Sequence, residues 1–360
     1  MKKLFLTAIA ACLTVLPAMA EGVQYGRNVS DNTTGPKVGG YVIGKYAYTT
    51  QDGKNTGDGF SQRLVRLYVD GTIQNDFKYR VQVQLNNASF HMKDYFVEWA
   101  HWKEFSVKVG QYKRAFLFEN PYNPWNVGFG DYSQITKKLA GMGDYCGEAA
   151  ATGGRDQGIQ FQGDLLPAAD GHRYIHYQLQ LMNGQGINTA DANARKDFIG
   201  TLQVQPIKDL YIAGFTWVGN YVGSGKKNGT DYTTTVDRHR WAVSAKYEHN
   251  DWSARVEYAY AEGYKISDFD PATSAFTGAG KADGWYAAVG VPCTDWLKVY
   301  AKYDVYRDQA NSGSANTIYA IAPNFQIHKN LMLQLQYNFV DNKPSSSHWN
   351  ELWAELYFRF

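Results

Sequence analysis

The sequence predicts an all-β fold, a transmembrane antiparallel β-barrel of about 16 strands with short periplasmic turns and long extracellular loops. Three observations predict it. A secretory leader opens the chain, apolar and polar residues alternate with a period of two along most of its length, and the connections alternate between short and long.

The leader is read first. Lys2 and Lys3 precede an apolar run from Leu4 to Leu16, Pro17 breaks that run, and Ala18-Met19-Ala20 fits a small-x-small cleavage site. About 13 apolar residues are too few to span a bilayer core that needs roughly 20. The expected layout is a signal peptide at 1–20, a short lead-in at 21–37 and one barrel domain at 38–360. Cys12 falls within the leader, so Cys146 and Cys293 remain after processing, which excludes a disulfide scaffold. With 36 Lys and Arg against 34 Asp and Glu the charge is nearly balanced, and no basic tract points to nucleic acid.

The alternation is clearest from Phe77 to Leu85, where Phe77, Tyr79, Val81, Val83 and Leu85 oppose Lys78, Arg80, Gln82 and Gln84. In a strand these sets point to opposite faces. The pattern returns around Trp241–Tyr247, Trp252–Tyr260, Leu297–Val305 and Leu331–Phe339. Short turns are expected near 74–76, 102–104, 167–172, 206–209, 250–251, 293–295 and 328–330. Longer loops are expected near 50–60, 87–92, 118–153, 183–196, 219–237, 262–283, 307–316 and 340–349. Seven turns and eight loops join 16 strands and leave both chain ends on the short-turn side. A sheet in hydrocarbon has to close, because an open edge would leave N–H and C=O groups unsatisfied. Phe360 ends a final amphipathic strand (Leu352, Ala354, Leu356, Phe358, Phe360), the pattern of an outer-membrane assembly signal.

A barrel of 16 to 18 strands leaves an aqueous channel, whereas about eight strands fill their own interior. The expected function is therefore a water-filled outer-membrane channel of a Gram-negative bacterium. It would pass small hydrophilic solutes by passive diffusion, with inorganic anions such as phosphate as the finer reading. No enzyme is expected. The competing readings are a closed structural or adhesive barrel and a lipase-type barrel enzyme. Strand parity turns Lys45, Arg66, Lys78, Arg80, Lys108, Lys246, Arg255, Lys298 and Lys302 inward, and Arg155 joins them as pore-lining. Asp70, Asp94, Glu98, Glu248, Glu257, Asp304 and Glu355 oppose them. The long connection at 118–153 is expected to fold into the lumen, with a short helix over Ser133–Leu139 and Lys137 and Lys138 near the constriction. Against this stands a surface loop with two solvated lysines.

Three segments resemble the phosphate-selective porins O and P. They are Val109-Gly110-Gln111-Tyr112-Lys113-Arg114, Gly154-Arg155-Asp156-Gln157-Gly158-Ile159 and Tyr177 to Gly184. Ala115 departs from the proline frequent in that group. The resemblance implies a 16-stranded porin, phosphate as solute and a homotrimer. Outer-membrane lipid and the barrel assembly machinery complete the expected partners. No cofactor or metal is expected: His172 and His176 lie about 13 Å apart along a strand, and Asp52, Asn55 and Asp58 do not fit an EF-hand spacing.

Overall fold

The computed structural model describes residues 36–53, 58–73, 76–86, 89–141, 153–264, 266–277 and 280–360. The leader, most of the lead-in, Asn55 and Cys146 lie outside the described residues. The chain forms a closed antiparallel barrel of 16 strands, as the period-two pattern predicts.

The first five strands are β1 Lys37–Thr49, β2 Asp58–Ile73, β3 Phe77–Asn86, β4 Ser89–Trp99 and β5 Ser106–Lys113. After the long connection come β6 Arg155–Pro167, β7 Arg173–Met182, β8 Asp197–Ile207, β9 Leu210–Lys227, β10 Thr230–His249 and β11 Trp252–Gly263. Two short segments, β12 Phe269–Asp270 and β13 Ala275–Phe276, pair only with each other within an outer loop. The barrel resumes with β14 Gly280–Thr294, β15 Leu297–Arg307, β16 Ala315–His328, β17 Leu331–Asn342 and β18 Ser347–Arg359. Closure comes from β1 against β18, with Lys45 opposite Glu355 and Tyr41 opposite Arg359. Every barrel strand thus has two neighbours and no edge faces lipid.

The alternation sorts side chains as the bilayer requires. On β10, Trp241 and Val243 are about half exposed on the outer surface while Ala242 and Ser244 are buried inside. Outer aromatics touch in series around the wall: Trp285 meets Tyr303 at 4.9 Å, Tyr303 meets Tyr319 at 5.0 Å, and Tyr319 meets Phe339 at 6.1 Å. Such a belt is where amphipathic rings settle at a membrane interface.

Three loop expectations need correction: β3 and β4 pair as far as Asn86 and Ser89, so 87–92 is no long loop, β17 and β18 pair as far as Asn342 and Ser347, so 340–349 is a tight connection, and the third is longer. The segment 219–237 is not a long loop: β9 and β10 continue as a paired hairpin joined at Asn228 and Gly229, both with positive φ. Its Gly, Ser, Thr and Asn content resembles loop composition, but Tyr221, Val222, Tyr232 and Val236 keep the ladder regular beyond the length a membrane needs.

Candidate pore constriction

The described part of the connection after β5 folds back against the barrel wall. The chain leaves the wall at Lys113, and Leu117 takes a left-handed φ of 68°. The next two backbone N–H groups, those of Phe118 and Glu119, donate to the Glu257 carboxylate at 2.6 and 3.0 Å. That carboxylate also accepts the hydroxyls of Ser244 at 2.6 Å and Tyr286 at 2.7 Å. Further on, Arg255 donates to the Val127 carbonyl at 2.6 Å, Gln334 to the Gly128 carbonyl at 3.0 Å, and Gly130 N–H to Gln336 at 2.6 Å. Gly128, at φ 87°, lets the backbone pass Tyr300, where any Cβ would clash. A six-residue helix, α1 Gln134–Leu139, follows with Ser133 as its N-cap. Arg240 holds its end by donating to the Leu139 carbonyl at 2.7 Å.

These partners sit on β10, β11, β14, β15 and β17, so the segment lies against the inside of that half of the wall. The wall is built to receive it. Ala242, Ala259, Ala261, Ala282, Ala320 and Ala322 face inward and are buried with Phe116, Phe129, Ile135 and Leu139 of the segment. A Cβ on Gly284 would meet Ile135. Small side chains thus leave room where the loop packs.

The opposite wall, β18 through β1 to β6, carries a second set of cations. Lys45 bonds Glu355 at 3.2 Å and lies 3.2 Å above the Trp353 ring. Arg63 bonds Glu355 at 2.6 Å and the Tyr357 hydroxyl at 2.8 Å. Arg80 forms a fork to Asp70 at 2.6 and 2.5 Å, Arg155 one to Asp94 at 2.7 and 2.9 Å, and Lys108 approaches Glu98 at 3.5 Å. Lys78 acts electrostatically on the same Glu98.

Arg66 donates to Gln84 and to the Tyr41 hydroxyl, both at 2.9 Å and both neutral. Lys113 donates to the carbonyls of Asn120 and Tyr122 and to the Tyr132 hydroxyl. Among the described residues neither has a carboxylate within salt-bridge distance, nor does Lys93. Arg66 and Arg155 each act electrostatically on Lys93 and on Lys113.

The remaining sequence candidates lie elsewhere. Arg255 serves the loop backbone and lies over Tyr122, Lys302 bonds Asp304 at 3.4 Å, and Lys298 sits over the Tyr300 ring at 4.9 Å. Lys137 and Lys138 are exposed on α1, and Lys137 bonds Asp131 at 2.6 Å. Burial pushes the Asp131 carboxyl up, but Lys137 and Arg63 outweigh it and hold the group below the usual carboxylate range. His172 contacts Asp170 and His176 contacts Asp164, and no group of metal-ligating side chains occurs among the described residues.

Parity from the sequence missed Arg63 and Lys93 for one shared reason. Each is the extra residue of a β-bulge. Arg63 is inserted where β2 slips past Ile43 and Gly44, and Lys93 where β4 slips past Gln82 and Val83. A bulge sets two residues against one and re-aims a side chain, so strict alternation cannot find it. Lys113 was missed because the chain leaves the wall there.

Comparison with known proteins agrees with the geometry. The family model of Gram-negative porins matches residues 6–345. The chain is a Gram-negative porin. No curated protein matches this porin significantly. Among solved structures it is similar to the anion-selective porin from Comamonas acidovorans, at 13% identity, covering 91% of this chain and 99% of that one, with a TM-score of 0.66. It is also similar to the outer membrane channel DcaP of Acinetobacter baumannii, at 12% identity, 95% and 100% coverage, and a TM-score of 0.61. The trimer form of OmpT from Vibrio cholerae aligns at 12% identity, 91% and 100% coverage, and a TM-score of 0.62. At these identities the likeness is one of fold. The porin belongs to the outer membrane, and the family match is broader than the phosphate-selective group that its motifs resemble.

Proposed function

We propose that this porin is a non-enzymatic diffusion channel for small hydrophilic solutes that prefers anions, inorganic phosphate among them. The observation that carries this reading is the group of Arg66, Lys93 and Lys113, three cations of one wall without a carboxylate partner among the described residues. The described part of the loop, 118–141, which we take as the constriction, meets this group at Lys113 and carries Asp131 already balanced by Lys137. An excess of fixed positive charge in a narrow aqueous pore raises the local concentration of anions. The anion-selective porin of similar fold is consistent with this reading. Assembly as a homotrimer belongs to the same reading and is tested by cross-linking in native outer membrane.

The test is the reversal potential of purified, refolded protein in a planar bilayer across a potassium chloride gradient. A potential of the sign set by chloride, with added phosphate reducing the chloride current, supports the proposal. A potassium-selective potential overturns the anion preference, and a folded barrel without channels overturns the pore.

A further inference from the structure

We infer that the β7–β8 loop closes a side opening in the barrel wall, and that Asn188 is the positioning residue that holds it shut. A channel of either ion preference needs such a seal, because part of one strand is given up to the lumen.

The opening follows from the ladder. β4 pairs with β3 as far as Ser89, but with β5 only from Trp99 to Tyr95. β5 stays with β6 up to Lys113 and then turns away from the wall. The extracellular end of β4 thus loses β5 as its neighbour on that side. A strand edge beside lipid must have its N–H and C=O groups satisfied or covered. Here two carbonyls are satisfied by side-chain amides. The Met92 carbonyl accepts from Asn188 at 2.9 Å, and the Lys93 carbonyl accepts from Gln111 at 2.8 Å.

The two amides also bind each other. Gln111 Nε2 donates to Asn188 Oδ1 at 2.9 Å, and the Asn188 backbone N–H donates to Gln111 Oε1 at 2.7 Å, a reciprocal pair between residues 77 apart in the chain. The face on which this happens is fixed by the register. Val97 opposite Val109 is an exposed outer pair, and the next outer pair is Tyr95 opposite Gln111. A glutamine there would turn a primary amide toward lipid, a costly place for it, yet Gln111 is fully buried. The β7–β8 loop is its cover. Gln157, which pairs with Gln111 from the β6 side, donates to the Thr189 carbonyl of the same loop at 3.3 Å. Asn188 itself is exposed, as the outermost layer of a cover should be.

The root of the loop is held on the inner side. Gly184 N–H donates to the buried Asp156 at 3.0 Å, and its carbonyl accepts from the buried Arg238 at 2.6 Å. The segment therefore crosses the rim, rooted inside at Gly184 and fastened outside at Asn188. Gly184, Gly186 and Asn188 take positive φ of 82°, 84° and 56° on the way. Glycine and asparagine are the residues that enter this region most readily. Asn188 combines that backbone with the donor and the acceptor that the fastening uses.

The experiment uses the full-length, refolded protein with Cys146→Ser and Cys293→Ser, and with Gln157→Cys as a reporter beneath the loop. A bulky water-soluble maleimide should label Gln157→Cys roughly tenfold more slowly than Ala190→Cys, at an exposed position of the same loop. Adding Asn188→Ala or Gln111→Ala should speed labelling of Gln157→Cys about tenfold, the scale of a lost hydrogen-bonded pair. In planar bilayers Asn188→Ala and Gln111→Ala, each without the reporter, should flicker between current levels more than the wild type, with the folded band kept in a denaturing gel. Ala190→Ser should change neither readout. Equal labelling of Gln157→Cys and Ala190→Cys, a comparison that needs no latch variant, would show that the loop does not cover the wall and overturns the inference. Labelling that neither alanine variant changes overturns it too. Faster labelling with a current as steady as wild type would make the loop a cover without a seal, and likewise overturns it.

Discussion

Asp304 caps a helix that belongs to a different part of the chain: the backbone N–H of Gln134, the first residue of α1, donates to both of its carboxylate oxygens, at 3.2 and 3.0 Å. The side chain of Gln134 returns the contact by donating to the Asp304 carbonyl at 3.0 Å. A barrel strand thus supplies the terminal acceptor that a short helix cannot find within itself. Glu257 does the same for the start of the loop.

These two carboxylates should therefore govern how firmly the loop is held. Glu257→Ala leaves four buried donors without their acceptor, a cost of about 1–3 kcal/mol for each one not rehydrated. The expected outcome is a larger and noisier single-channel conductance with the barrel still folded. Conductance histograms of the variant beside the wild type check it, and an unchanged histogram would show that the anchor is redundant.

The pair Asp131–Lys137 should be nearly silent in ion selectivity as a pair and visible when split. A unit charge about 8 Å from a permeant ion is worth about 0.5 kcal/mol in water-like surroundings, a factor of about two. Because the two ions shift in opposite senses, Asp131→Asn should raise the chloride-to-potassium permeability ratio about fivefold, Lys137→Gln should lower it about as much, and the double variant should return close to wild type. Reversal potentials of the three variants measure this directly.

The pH dependence of that effect has a defined sign. Asp131 is held below its ordinary value of 3.8 because Lys137 and Arg63 outweigh its burial, so it stays ionised as pH falls and is neutralised only below that value. The difference between wild type and Asp131→Asn should be the same near pH 7 and near pH 5 and should vanish only in stronger acid. A difference already lost near pH 5 would show that the carboxyl is raised instead.

Trp217 should be a stability residue. Its fully buried ring has the guanidinium carbons of Arg114, Arg238 and Arg240 at 4.5, 4.7 and 4.1 Å from its centre, and its indole N–H donates to Asp197 at 2.8 Å. Trp217→Leu removes the surface on which three cations rest and should cost about 3 kcal/mol or more. The temperature at which the folded band converts to the unfolded band in a denaturing gel should fall, while Trp252→Leu, exposed at the short-turn end of β11, should shift it little.

The barrel was legible because hydrocarbon outside and water inside impose the same two-residue period on every strand. Phe77–Leu85 displays that period with no tertiary information at all. Strand ends were less legible, because β9 and β10 rise past the membrane on residues that pack against each other rather than against lipid. Lys45 and Lys108 sit at regular ladder positions, opposite Glu355 and Glu98, where alternation alone assigns a face. Arg63 and Lys93 escape it, since a one-residue insertion is a property of the pair of strands and leaves no mark in either alone. Nor could composition reveal that Lys137 is matched by Asp131 six residues earlier, because that pairing depends on the turn into α1.

The alanine-lined half of the inner wall makes the loop a permanent fixture. Excising it would uncover Phe215, Trp217, Ala259, Ala261 and Ala322 to the water that fills the rest of the lumen. A shortened porin of this kind would be less a wider tube than one with a greasy stripe inside, apt to dewet or to hold apolar solutes as they pass. Widening the passage is better attempted from the charged side, where the apolar footing of the loop is left in place.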